Sequence, residues 1–219
     1  MSPRGVAIPD LRQQLFQATE RVLVREGPGG LTGRAITREA GCSTGLLYNH
    51  FGNLEDFLAE FAIDRARLAA SNAGKLPSQA GTGTVEANLT EAAVRVPGSN
   101  LPALASLMAS RPALGPRVRE ALDAGAPGLD EIELAFTAYL DAEKALGRIA
   151  ADVDTEAFGL ALVSTVHHLL HEYSPGDPDP GGRIRRVVAA LVARMVPTGE
   201  HGPNRVTATT ARRTMERQP

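Results

Sequence analysis

Leu31-Thr-Gly-Arg-Ala-Ile-Thr-Arg-Glu-Ala-Gly-Cys-Ser-Thr-Gly-Leu-Leu-Tyr-Asn-His-Phe-Gly-Asn-Leu-Glu-Asp-Phe-Leu58 is the stretch from which the rest of the chain is read. Thr32 stands where it caps a short helix over about 32–40, Gly41-Cys42 makes a tight turn, and Ser43 caps a second short helix over about 43–50. Asn53 then caps a longer helix to about residue 71. Asp56 follows it at capping-box spacing, and Glu55 and Asp56 complement the positive helix end. Ala35, Ile36, Ala40, Leu46 and Leu47 form an inward set; Arg34, Arg38, Thr44, Gly45, Tyr48, Asn49 and His50 remain outside. Gly41 can take the positive φ of the turn, and the second helix can present its first residues to a DNA groove. This is what a helix-turn-helix requires, and hydroxyls, an amide, an imidazole and guanidiniums all donate to phosphate oxygens.

Upstream, Leu11, Leu15, Ala18, Thr19, Val22 and Leu23 recur at helical spacing between a start at Pro9-Asp10 and a stop at Gly27. Gly27–Gly30 is a loop; no strand precedes it and no Lys-Ser/Thr follows, so it is not read as a phosphate cradle. Downstream, residues 72–83 read as a loop, followed by helices over about 84–96, 101–110, 114–124, 128–146, 154–173 and 183–195. Pro97, Pro102, Pro112, Pro116 and Pro127 punctuate the first of these. From Pro197 the chain turns polar and Arg/Thr-rich, and 198–219 is expected to be a disordered tail. No strand alternation or repeat is present. The fold class is all-α: a three-helix domain over 1–53, then a larger helical body over 54–197.

The 219 residues are 43% apolar, 22% charged and 4% aromatic, which excludes wholesale disorder. The net charge of −2 gives no global basic field, so any polyanion binding must come from a local patch. Cys42 is the single cysteine, which excludes an intrachain disulfide or a cysteine-rich zinc site. No apolar run reaches bilayer length and the N-terminus lacks a signal-peptide core, so no membrane association and a cytoplasmic location are expected. Residues 1–53 hold Arg4, Arg12, Arg21, Arg25, Arg34 and Arg38 against Asp10, Glu20, Glu26 and Glu39, a local surplus of positive charge.

The segment 11–58, and above all Arg38-Glu-Ala-Gly-Cys-Ser-Thr-Gly-Leu-Leu-Tyr-Asn-His-Phe51, resembles the tetracycline-repressor (TetR) family of bacterial transcriptional regulators. The resemblance implies an N-terminal DNA-binding domain and a divergent helical domain that binds a small molecule and dimerises. It places Thr44, Tyr48 and His50 against the DNA backbone, Gly45 and Asn49 near base edges, Thr32 and Arg34 beside a phosphate, and Phe51 in the packing. With Ser43 at the head of the recognition helix, these form the expected DNA-facing set. Three positions depart from the family: Leu54 replaces a phosphate-gripping lysine, Thr37 an alanine, and Cys42 a valine. Thr37 and Cys42 are close in size to what they replace and are expected to pack.

In the second domain most apolar residues, among them Leu104, Leu107, Leu134, Leu140, Leu160 and Leu162, are expected to be core. The family resemblance implies a pocket, for which Met108, Phe136, Tyr139 and Val166 are the candidate lining. The low aromatic content favours a lipid-like or polyketide-like effector over a flat cation. His167 and His171 share one helix face at i, i+4, but without a third ligand they read as polar groups of a dimer bundle rather than a metal site. No nucleophile–base set has diagnostic spacing, so no catalytic residue, cofactor or metal is expected. The expected partners are a palindromic double-stranded DNA operator, a small-molecule effector and a second copy of the chain. The alternative is a helical ligand-binding or protein-interaction module that kept the scaffold without sequence-specific DNA binding.

Overall fold

Most helix starts among the described residues are fixed by short polar side chains folding back on the backbone. In the computed structural model, which describes residues 10–95, 101–171 and 179–196, Asp10 caps α1 (Leu11–Glu26), its side chain accepting from Gln13 N at 3.3 Å. Asp10 adopts φ 62°, tolerable for a residue with a short polar side chain. Thr32 caps α2 (Gly33–Glu39) through Ala35 N at 3.1 Å, and Asn53 caps α4 (Leu54–Ala73) through Asp56 N at 2.8 Å. Between them, α3 (Thr44–Phe51) behaves differently from expectation. Ser43 occupies its N-cap position but makes no side-chain capping bond.

The second part comprises α5 (Val85–Arg95), α6 (Leu101–Ser110), α7 (Leu114–Asp123), α8 (Leu129–Ala145), α9 (Thr155–His171) and α10 (Pro180–Met195). No strand occurs among the described residues. α10 begins before the expected residue 183, because Asp179 caps Gly182 N at 2.8 Å and a proline is tolerated in a first turn. The expected loop over 72–83 contains a 3-10 turn, Leu76–Gln79, with Leu76 buried. Buried Asn88 holds it, donating from Nδ2 to Thr82 O at 2.8 Å and to the Tyr139 hydroxyl at 3.0 Å. The expected tail at 198–219 and the end of the helix at Tyr173 lie outside the described residues.

Packing divides into two buried clusters, and α4 runs through both. Its first half gives Phe57, Leu58, Phe61 and Ala62 to a cluster with Leu15, Phe16, Val22, Leu31, Ile36, Leu47 and Phe51. Its second half gives Ala69, Ala70 and Ala73 to a cluster built on Leu89, Phe136, Tyr139, Leu140, Leu162, Val188 and Met195. Phe16 sits at the centre of the first, its ring 5.6 Å from Phe57, 5.8 Å from Phe61 and 6.1 Å from Phe51. α6 and α7 do not join the second cluster: Leu104, Leu107 and Leu114 are buried in the first. Leu134 and Leu160, read as core from sequence, are exposed on α8 and α9.

Ion pairs lie at the edges of the first cluster. Arg12 pairs with Glu60 at 2.8 Å and Arg65 with Glu20 at 3.2 Å, joining α1 to α4. Glu39 receives Arg21 at 2.6 Å and Arg25 at 3.1 Å, joining α2 to α1; the hydrogen bond from Arg21 leads in holding its carboxyl below the usual range. Two further arginines reach the first turn of α4. Arg111, after α6, pairs with Glu55 at 2.5 Å and donates to Leu31 O at 2.8 Å; Arg117 of α7 pairs with Asp56 at 2.7 Å.

In the second cluster the carboxyl of Glu143 is fully buried, with Arg148 Nη1 3.3 Å away as its compensating charge. Burial also pushes the Tyr139 phenol up from its ordinary value.

Phe16→Ala is expected to lower stability by about 3–5 kcal/mol, read by denaturant unfolding followed by circular dichroism. Arg111→Gln, which strands the Leu31 carbonyl and a partly buried carboxylate, is expected to cost about 1–3 kcal/mol. Arg117→Gln, in a pair about 40% exposed on each side, should cost under about 1 kcal/mol and nothing in 1 M salt.

Candidate nucleic-acid interface

The link between α2 and α3 follows from one glycine. Gly41 adopts φ 69°, its N–H bonds to Arg38 O at 3.2 Å, and the next N–H, that of Cys42, reaches back to Thr37 O at 2.9 Å. This paired arrangement is the Schellman ending, in which a left-handed residue satisfies the last helical carbonyls and turns the chain sharply. Gln14 of α1 adds a side-chain donor, Nε2 to Ala40 O at 2.7 Å, so the end of α2 is held from both sides. Cys42 is partly buried against the cluster, and burial pushes its thiol up from the ordinary value. Gly52, at φ 75°, ends α3 with its N–H on Tyr48 O at 2.9 Å.

Burial separates the two faces nearly as the sequence implies. Ala35, Ile36, Ala40, Leu47 and Phe51 are buried, while Leu46 is half-buried. Thr32, Arg34, Arg38, Ser43, Gly45, Tyr48, Asn49 and His50 are exposed, and Thr44 is half-buried. α2 and α3 therefore bring Thr32, Arg34, Ser43, Thr44, Gly45, Tyr48, Asn49 and His50 into one two-helix element. Leu54, in the position of the missing lysine, is half-buried and packs on the first cluster.

Charge on this element is concentrated. Of the arginines before residue 53, Arg12, Arg21 and Arg25 are paired with Glu60, Glu39 and Glu26. No carboxylate lies within ion-pair distance of Arg34 or Arg38 among the described residues. Two cations on α2 are thus left for an external anion.

Tyr48 is presented by a second glycine. A Cβ built on Gly33 would stand 2.6 Å from Tyr48 Oη and 3.2 Å from Cζ, so the tyrosine lies against the bare backbone at the start of α2. Sequence reading did not single out Gly33. Its only local signal is a glycine just after the cap, a costly choice in a helix unless space is needed. Arg111 was missed as well; it fixes the Leu31 carbonyl ahead of α2 from a position 80 residues away.

The candidate effector residues do not all meet. Phe136, Tyr139 and Val166 are buried together in the second cluster, whereas Met108 packs on the first. A surface groove of about 620 Å³ lies elsewhere, along Thr84, Ala87, Glu91 and Val94 of the α5 region with Arg185 of α10. His167 is exposed on α9, and the side chain of His171 lies outside the described residues. Among the described residues no group of three or more His, Cys, Asp or Glu side chains converges on a metal-sized site, and no helix is long and apolar enough to cross a membrane.

Comparison with known proteins matches residues 15–61 to the model for bacterial regulatory proteins of the tetR family. An uncharacterised HTH-type transcriptional regulator of Haemophilus influenzae is 38% identical over 53 residues, which are 24% of this chain and 28% of that relative's length. Among solved structures, the reduced form of NemR from E. coli superposes with a TM-score of 0.65 at 14% identity, over 86% of this chain and 100% of that one. A TetR transcription regulator of Haloarcula marismortui gives 0.64 at 18% identity, over 86% and 99%. FadR of Bacillus subtilis, solved in complex with stearoyl-CoA, gives 0.57 at 16% identity, over 83% and 98%. Residues 15–61 thus match the tetR-family model of bacterial regulatory proteins, and the helical fold that carries them is like that of these solved structures.

Proposed function

We propose that the chain is a homodimeric, ligand-responsive repressor that leaves a palindromic DNA operator when a small molecule binds its helical body. The observation that carries this reading is the α2–Gly41–α3 element, with Arg34 and Arg38 outside ion-pair distance of any carboxylate among the described residues and with Tyr48, Asn49 and His50 exposed. In it, Thr32, Arg34, Ser43, Thr44, Tyr48 and His50 face the DNA backbone, while Gly45 and Asn49 approach base edges. Residues 1–53 act as the DNA-reading unit and 54–197 as the regulatory and dimerisation body, in the cytoplasm. Two recognition helices related by a two-fold axis would enter successive major grooves roughly 34 Å apart.

The effector would enter among the apolar residues around Phe136, Tyr139 and Val166, and a lipid-like compound suits their chemistry. The stearoyl-CoA held by the similarly folded FadR supports that class. Coupling to DNA would run through α4, which belongs to both clusters, and through the Arg111–Glu55 and Arg117–Asp56 pairs that tie α6 and α7 to its first turn. The effector acts only as far as it prefers one of two arrangements of these helices, an effect typically worth ~1–3 kcal/mol.

The test is fluorescence anisotropy with the duplex upstream of the protein's own coding sequence. Binding is expected at low salt, with Tyr48→Ala weakening it about ten-fold or more. Absence of binding, or a Tyr48→Ala variant equal to the parent, overturns the reading. Binding indifferent to sequence would favour the scaffold-only module, a reading supported by Leu54 in place of a lysine. Arg38→Ala is expected to weaken binding to all sequences alike and to shrink the slope of log affinity against log salt by about 1 per bound protomer.

A further inference from the structure

α2 and α3 are joined by a chain of two hydroxyls. Thr37 is 2% exposed, and its Oγ1 lies 2.7 Å from Gly33 O and 3.0 Å from Thr44 Oγ1. A carbonyl only accepts, and a hydroxyl carries one proton and two lone pairs. With the single proton of Thr37 on Gly33 O, the nearer partner and one that can only accept, the contact between the two threonines takes the proton of Thr44. Both protons then point inward, and the half-buried Thr44 presents lone pairs to the outside at the first residue of α3.

We propose that Thr37 sets the hydrogen-bonding sense of Thr44, so that Thr44 meets DNA as an acceptor and selects an amine-bearing base edge rather than gripping a phosphate. This rests on the DNA-binding reading above and reassigns Thr44 from the backbone to the bases. Phosphate oxygens only accept, and they face the lone pairs of Thr44 without a proton between them. In the major groove the base-edge donors are adenine N6 and cytosine N4, and the first residues of a recognition helix are those that reach base edges. For Thr44 to donate to a phosphate, Thr37 would have to withdraw its proton from Gly33 O. Thr37 is thus a positioning residue: buried, and acting through the hydrogen bond it draws from Thr44.

The experiment selects binding sites from a randomised duplex pool with the full chain as wild type, Thr37→Ala, Thr37→Ser and Thr44→Val. Anisotropy then compares the selected duplex with one substituted at the implicated position. The wild type should enrich a motif with adenine or cytosine at one position of each half-site, with discrimination of about five-fold, the scale of a single neutral hydrogen bond. Thr37→Ala and Thr44→Val should lose discrimination at that position alone, and Thr37→Ser, which restores the buried hydroxyl, should keep it. A Thr37→Ala or Thr44→Val variant that selects the wild-type motif with unchanged discrimination overturns the proposal. So does loss across all positions at once with no rescue by Thr37→Ser, because that is the signature of a packing role. If Thr37→Ala does not fold, Thr44→Val and Thr37→Ser decide by the same readout. A wild type that enriches no motif overturns the DNA-binding reading itself, a result distinct from the others.

Discussion

The packing of α4 against Phe16 is the constraint on which the other features depend. Phe57 and Phe61 sit one turn apart on α4 and both contact the Phe16 ring, with Phe51 of α3 closing the group at 4.8 Å from Phe57. Three aromatic rings gathered on Phe16 leave α1, α3 and α4 little freedom, because interiors packed to this density shift between discrete arrangements rather than deforming smoothly. α4 continues beyond this group into a second core, to which it gives Ala69, Ala70 and Ala73. The two halves of the molecule therefore share a rigid rod rather than a linker. A change in one core must be answered in the other or absorbed within α4.

Electrostatics around the helix-turn-helix is more selective than the charge total implies. Most of its arginines neutralise acids on neighbouring helices and contribute to the assembly of α1, α2 and α4. What remains for an external partner is a small set of cations on α2, together with neutral donors on α3. Such an interface gains little from long-range attraction and depends more on geometry. This places weight on how accurately α3 is held, which Gly41, Gln14 and the Thr37–Thr44 contact provide.

Local rules in the sequence located the elements because the responsible groups are three or four residues apart. Thr32, Asn53 and Asp10 cap the helices they precede, and the glycine at 41 breaks α2 where its carbonyls need a left-handed residue. Ser43 follows the same rule and fails, because its side chain makes no bond to the α3 backbone. Apolar periodicity likewise shows that α6 buries a face without showing against what, so the burial of Leu104 and Leu107 in the first cluster was not legible. The contacts of Arg111, with partners 56 and 80 residues away, have no local trace, and the placement of Tyr48 on Gly33 leaves only a glycine just after a cap. Leu134 and Leu160 satisfy the periodicity of their helices yet stay exposed, since one chain does not determine which apolar positions its own core can cover.

The contact between Gly33 and Tyr48 has a consequence for how this segment can change over time. The two positions lie on different helices, yet the side chain at one occupies the space a Cβ would need at the other. A substitution at 33 needs either a smaller residue at 48 or an outward shift of the exposed Tyr48 ring, and a smaller residue at 48 removes the reason for a glycine at 33. Effects at the two sites should therefore be strongly non-additive, as is general for residues in direct contact. In descendants of this sequence the pair is expected to be kept or lost together, whatever happens to the charged residues around it.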